Sequence, residues 1–278
     1  MATATTKPTA TLVNVTPKIA GDWIAKNDHN RNVRNQVVSA YARDMAAGAW
    51  QVTGEAIKFN CDGTLLDGQH RLLAVIRSGA TVPMLIVKGL PKTAQDVMDT
   101  GTKRSAGDML FLNGHKNGNL LAATARLLMV LESSADDTRN TSRNFTNTEI
   151  AAKVSGTRNI ESAVAAASHY RAAIDVNPSV LAVAWMWLHR ANPAAAEEFF
   201  EAIAENQTNG AGDPRNTLIK RLATARRNGE RLNQTVVLSF IVRSWNAWRA
   251  GERLAVLKDR ASDHKGGTVQ IGIPKVSA

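Results

Sequence analysis

Two regimes of hydrophobic patterning divide the chain. Up to about Asn117, short apolar runs of strand length are interleaved with stretches of helical spacing; from Asn119 onward the spacing is helical throughout. In the first regime, residues 1–14 begin Thr- and Ala-rich through Leu12 and read as a disordered tail. Thr16 before Pro17 predicts an N-cap with proline in the first turn, followed by an apolar face of Ile19, Trp23 and Ile24. A polar loop, Asn27 to Asn32, separates it from a core-facing helix ending at Gly48, expected because Val37, Val38, Tyr41, Met45 and Trp50 follow helical spacing. Ala56 to Phe59 alternates as a strand, Asp62-Gly63 makes a hairpin turn, and Thr64 to Leu66 is its partner. Leu72, Leu73, Val75 and Ile76 then space as a helix ending at Ser78-Gly79, and Val82 to Val87 is a β-rich strand broken by Gly89-Leu90-Pro91. A short helix is expected over Lys92 to Met98.

The second regime predicts a long helix from Asn119 to Glu132, then a polar linker from Ser133 to Asn144. Thr146 and Glu149 are spaced as a capping box for the next helix. That helix, the Ser155-Gly156 turn and the helix from Asn159 have helix-turn-helix spacing, but few base-reading side chains follow, which favours ordinary helical packing. Pro178 and Pro193 open two more apolar helices, and a Gly/Asn loop covers Gln207 to Pro214. The fold class is therefore α+β: a small mixed sheet with helices over residues 15–116, an all-helical domain over 117–260, and a loose tail over 261–278.

Composition narrows the function classes. A single cysteine, Cys61, excludes an intramolecular disulfide and offers no metal spacing. No signal peptide and no membrane-length apolar run is seen, so a cytoplasmic protein without membrane partners is expected. Net charge is +10, and residues 213–260 hold 11 Lys/Arg against 4 Asp/Glu. Arg215, Lys220, Arg221, Arg226, Arg227 and Arg231 supply most of this excess and are the candidate nucleic-acid contacts, through phosphates rather than bases. Trp245 and Trp248 beside them read as core.

The richest chemistry lies at Asp67-Gly68-Gln69-His70-Arg71, at the predicted strand-to-helix junction. Gly68 gives the backbone freedom to turn, and the helix start offers unpaired N–H groups to an anion. Gln69, His70 and Arg71 would complete a phosphate cradle. Asp67 has three roles open to it: orienting His70, binding Mg²⁺, or capping the helix. A second polar cluster, Asp99-Thr100-Gly101-Thr102-Lys103-Arg104-Ser105, mixes a carboxylate, cations and hydroxyls; Gly101, Arg104 and Ser105 are candidate phosphate contacts, with Ser105 as a helix cap the plainer reading. Of the six histidines only His70 has a motif around it.

Strand, Asp-Gly-Gln-His-Arg, apolar helix, Gly79 and a second strand together resemble the ParB/sulfiredoxin-like (ParB-like nuclease domain) family, in particular its DGQHR branch from phage and DNA-modification proteins. The likeness spans Val15 to Leu112. The family's Gly-x-x-Arg-x-x-Ala phosphate box corresponds to Gly68-Gln69-His70-Arg71-Leu72-Leu73-Ala74. Gln69 stands where sulfiredoxin has its catalytic Cys, so reductase chemistry is not implied. The segment from Asp99 to Ser105 stands where ParB proteins carry a Glu-Asn-x-x-Arg box, without its residues. The resemblance implies nucleotide contact by Asn30 and Arg31, and a nucleoside triphosphate, ATP or CTP, with Mg²⁺. It also implies a DNA-associated protein encoded by a phage or mobile element, with an oligomer compatible with it.

Two other readings stand beside this one. In an enzyme of phosphoryl transfer or phosphodiester hydrolysis (an NTPase, kinase-like phosphotransferase or nuclease), Asp67, His70 and Asp99 would be the catalytic groups. In a helical interaction protein, the motif would be a ligand-free scaffold.

Overall fold

The computed structural model describes residues 7–27, 32–91, 93–94, 105–133, 145–262, 268–270 and 272–277. The chain is α+β and divides into two compact units, one formed by residues 1–105 with 139–149, the other by 106–138 with 150–278.

The first unit is built on a four-stranded mixed sheet of β1 (Thr9–Val15), β2 (Ile57–Asn60), β3 (Leu65–Asp67) and β4 (Val82–Leu90), in the order β1-β4-β2-β3. β4 runs antiparallel to β1 and parallel to β2, and β2 and β3 form the expected hairpin. Its turn is held by Asn60, whose Oδ1 accepts the N–H groups of Asp62 and Thr64 at 2.9 and 2.8 Å. The helices are α1 (Pro17–Ile24), α2 (Asn35–Ala46) and α3 (Gln69–Ser78). Thr16 caps α1 through the Ile19 N–H, as the Thr-Pro pair predicts. Val38 and Met45 of α2, Leu72 and Val75 of α3, and Ile57, Phe59, Leu65, Met84 and Ile86 of the sheet make one core, with Trp23 edge-on to Phe59. Packing α3 on α1 and α2, over the core it shares with the sheet, fixes where the β3–α3 junction points.

The expected tail needs correction. Thr9 to Leu12 belongs to β1, whose ladder with β4 runs unbroken from Thr9↔Lys88 to Val15↔Val82. Backbone pairing, not side-chain burial, holds it there, since Thr9 to Leu12 are exposed.

The second unit contains α4 (Ala106–Leu112), α5 (Gly118–Ser133), most of α6 (Asn147–Gly156), α7 (Ile160–Tyr170), α8 (Pro178–Ala191), α9 (Pro193–Ala204), α10 (Pro214–Arg227) and α11 (Gln234–Arg249), with a short hairpin of β5 (Arg260–Ser262) and β6 (Thr268–Gln270). Leu181, Phe199, Phe200, Phe240 and Trp245 are fully buried in it, so Trp245 is core as its spacing suggests. Its boundary lies at Ala106 rather than near residue 117, because α4 packs on α5: a Cβ at Gly118 would overlap the Gly107 carbonyl. The C-terminal residues are also tied down rather than loose. Ser239 donates to Gly272 O, Trp245 Nε1 to Ser277 O, and Asn246 exchanges bonds with Lys275 and Ser277. The Lys92–Met98 helix and the Ser133–Asn144 linker fall mostly outside the described residues.

The capping box forms. Thr146 N–H donates to Glu149 Oε2 at 2.7 Å and Glu149 N–H to Thr146 Oγ1 at 3.1 Å. Thr146→Ala is expected to destabilise the protein by about 1 kcal/mol, and urea titration of the variant against wild type measures it.

Candidate functional site

The β3–α3 junction carries the motif. Gly68, at φ 108°, turns the chain from β3 into α3 and brings its backbone against the fully buried Ile57 of β2. Gln69 and His70, the first residues of α3, are buried. Gln69 Oε1 accepts from Asn27 Nδ2 at 3.1 Å. His70 Nε2 accepts the Arg34 N–H at 3.0 Å, which puts the proton of the neutral ring on Nδ1. Leu65 N–H, on the strand before the motif, reaches Lys26 O at 3.2 Å. The chain on both sides of the polar loop after α1 is thus tied to the motif.

Arg71 is anchored more firmly than a surface ligand-binding arginine need be. Its Nη1 donates to Glu55 O at 2.6 Å, and its Nη2 to Ala56 O at 2.9 Å and Asp67 Oδ2 at 3.2 Å; the side chain is 13% exposed. These bonds clamp the first turn of α3 to the chain entering β2. A guanidinium has five N–H donors; three are used, which leaves two without protein acceptors among the described residues.

Asp67 neither orients His70 nor caps α3. Its carboxylate accepts from Arg71 and lies 3.5 Å from Lys58 Nζ, its cross-strand partner in the β2–β3 ladder, and makes no hydrogen bond to His70. Nor does it cap α3, whose N-cap is Gly68 and carries no side-chain bond. Both cations lie against its Oδ2, and among the described residues no group of three or more His, Cys, Asp or Glu side chains could hold a metal. Lys58 was the residue the sequence reading missed. Local pattern does not announce it, because a register shift between Lys58 and Phe59 is what sets Lys58 opposite Asp67.

Of the remaining expected residues, Ser105 is exposed immediately before α4. Asn30, Arg31, Asp99, Gly101 and Arg104 lie outside the described residues.

The candidate nucleic-acid contacts sort into two groups. Arg215 is a correction. It is buried, bonded to the equally buried Asp213 at 2.9 Å, and stacked on Trp248 at 5.2 Å, so it cannot meet a phosphate. Arg221 is half-buried and engaged: it grips both oxygens of Glu230 at 2.8 Å, donates to Leu257 O and lies over Phe240. That bidentate pair raises the Arg221 guanidinium and lowers the Glu230 carboxyl from their ordinary values. Lys220, Arg226, Arg227 and Arg231 are exposed. No helix among the described residues is long and apolar enough to cross a membrane.

Comparison of the chain with family models, with curated proteins and with solved structures gives no match.

Proposed function

We propose that the protein is a nucleotide-binding, DNA-associated protein of the ParB-like kind, holding nucleoside triphosphate phosphates at the β3–α3 junction and contacting DNA through its basic helical half. The observation that carries this reading is the junction itself: Gly68 brings backbone to the start of α3, and Arg71, fixed by two carbonyls and Asp67, keeps two guanidinium donors over. A helix start and a preorganised guanidinium together suit a phosphate. Gln69 and His70 act here by packing the turn against the Asn27 and Arg34 segment. Since Asp67 is occupied by Lys58 and Arg71, magnesium would be carried on the triphosphate.

Calorimetric titration with ATP, CTP and GTP, each with Mg²⁺, tests the site. At least one nucleotide should bind, and Arg71→Gln, checked for folding by circular dichroism, should weaken it tenfold or more. Absence of heat with all three, or wild-type affinity in a folded Arg71→Gln protein, would sink the reading. Hydrolysis products appearing in the same samples would select the phosphoryl-transfer alternative.

A further inference from the structure

Helix α10 and the turn after it contain six cations, Arg215, Lys220, Arg221, Arg226, Arg227 and Arg231, and between Asp213 and Arg231 only two carboxylates, Asp213 and Glu230. Both carboxylates are consumed, Asp213 by Arg215 and Glu230 by Arg221. Arg226 meets Asp175, from the segment between α7 and α8. Lys220, Arg227 and Arg231 are left exposed, with no carboxylate partner among the described residues; Arg227 makes a 3.3 Å bond to Thr224 Oγ1. Lys220 and Arg227 are seven residues apart and so share one face of α10, with the small, exposed Ala223 between them. Their Cα atoms are about 10 Å apart along the helix axis, close to three phosphate rises along one strand of a duplex.

From this sorting we infer that the outward face of α10, through Lys220 and Arg227, together with the exposed Arg231 after the helix, is the surface that docks on the phosphate backbone of duplex DNA. The inference rests on the DNA-associated reading above and names its surface. Inward cations of the helix are paired and structural; the outward ones face solvent, where a polyanion can reach them and release its condensed counterions. The neighbours on this face are small or already engaged: Ala223 has no polar side chain, Asn216 donates to Gly210 O and Thr224 Oγ1 accepts from Arg227, so binding here positions DNA without selecting sequence.

The test is fluorescence anisotropy with a labelled duplex of mixed sequence between about 50 and 200 mM salt. The wild-type chain is compared with Lys220→Gln/Arg227→Gln/Arg231→Gln and with a charge-matched Lys7→Gln/Lys18→Gln/Lys88→Gln protein, whose substitutions lie on exposed lysines of the other unit. The slope of log affinity against log salt should fall by about 2–3 in the first variant and stay near wild type in the second. The inference is overturned if both variants lose the slope equally, since net charge alone would then explain it, or if the α10 variant keeps wild-type slope while wild type binds DNA; in that case only the surface is wrong. Binding of phosphatidylserine vesicles in preference to duplex, lost in the α10 variant, would also overturn it. If the wild-type chain binds no duplex, the DNA-associated reading and the inference fall together. Nucleotide heat in the α10 variant, read in parallel, reports on the β3–α3 site alone.

Discussion

Arg215→Ala should destabilise the helical unit by about 3–5 kcal/mol, the range for removing one member of a buried ion pair. Asp213 caps α10 and is 2% exposed at its side chain, with Arg215 at 6%. Its Oδ1 accepts from the Arg215 N–H and Nε, and its Oδ2 from Arg215 Nη2 and the Asn209 N–H. Burial alone would raise the Asp213 carboxyl; the bonds from the Arg215 side chain, then from the Asn209 and Arg215 N–H groups, outweigh it and hold the pKa at about 2, against an ordinary 3.8. Because the folded value is the lower one, this carboxylate stabilises the fold fully above about pH 4 and the contribution is lost as pH falls toward 2, about 2 kcal/mol in all. In the variant the carboxylate remains buried beside an empty guanidinium site, and Trp248 loses its cation. Urea titration at pH 7, followed by tryptophan fluorescence, reads the loss, and Arg215→Ala/Asp213→Asn should recover part of it. A change within about 0.5 kcal/mol would place Arg215 among ordinary surface positions.

Where a cation is needed inside, the sequence gives little warning. Arg215 and Arg227 look alike in a basic run, yet Trp248 and Asp213 take the first into the interior while the second stays in water. The stacking partner is 33 positions away, beyond the reach of local pattern. The same limit explains β1: Thr9 to Leu12 lacks a buried face, so only its ladder with β4, about seventy positions on, makes it a strand. It also explains the C-terminal residues, whose order comes from bonds to α11. Local devices were legible: the Thr16 cap before Pro17, the Thr146–Glu149 box and the β2–β3 hairpin all act within a few residues. At the candidate site, composition and the turn could be read, but not the role of each side chain. Asp67 pairs with Lys58 and Arg71 because strand register and the first helical turn bring them together, and sequence spacing alone had left three other roles open.

The largest effect in the N-terminal unit is expected from Gly68→Ala, at about 2–4 kcal/mol. Two causes add. A left-handed φ of 108° strains any residue with a Cβ, by about 1–2 kcal/mol. The new Cβ would also overlap Ile57 Cδ1 and stand 3.3 Å from Ile57 Cα and Cγ2, and overpacking of this kind adds about 1–3 kcal/mol. Ile57 cannot retreat, since it is fully buried in β2 and pairs with Ile86 of β4. Gly63→Ala separates the two causes: Gly63 also has a positive φ, 83°, but nothing lies within 4 Å of its would-be Cβ, so it should lose only the strain. Ile57→Val removes Cδ1 and by itself should lose about 0.5–1.5 kcal/mol. Combined with Gly68→Ala it should lose less than the sum of the two, because the overlap is relieved once. Strict additivity in that cycle, with Gly68→Ala no worse than Gly63→Ala, would mean that the junction is free to move away from β2. The start of α3 would then not be held in the fixed geometry that the phosphate binding proposed at Arg71 requires.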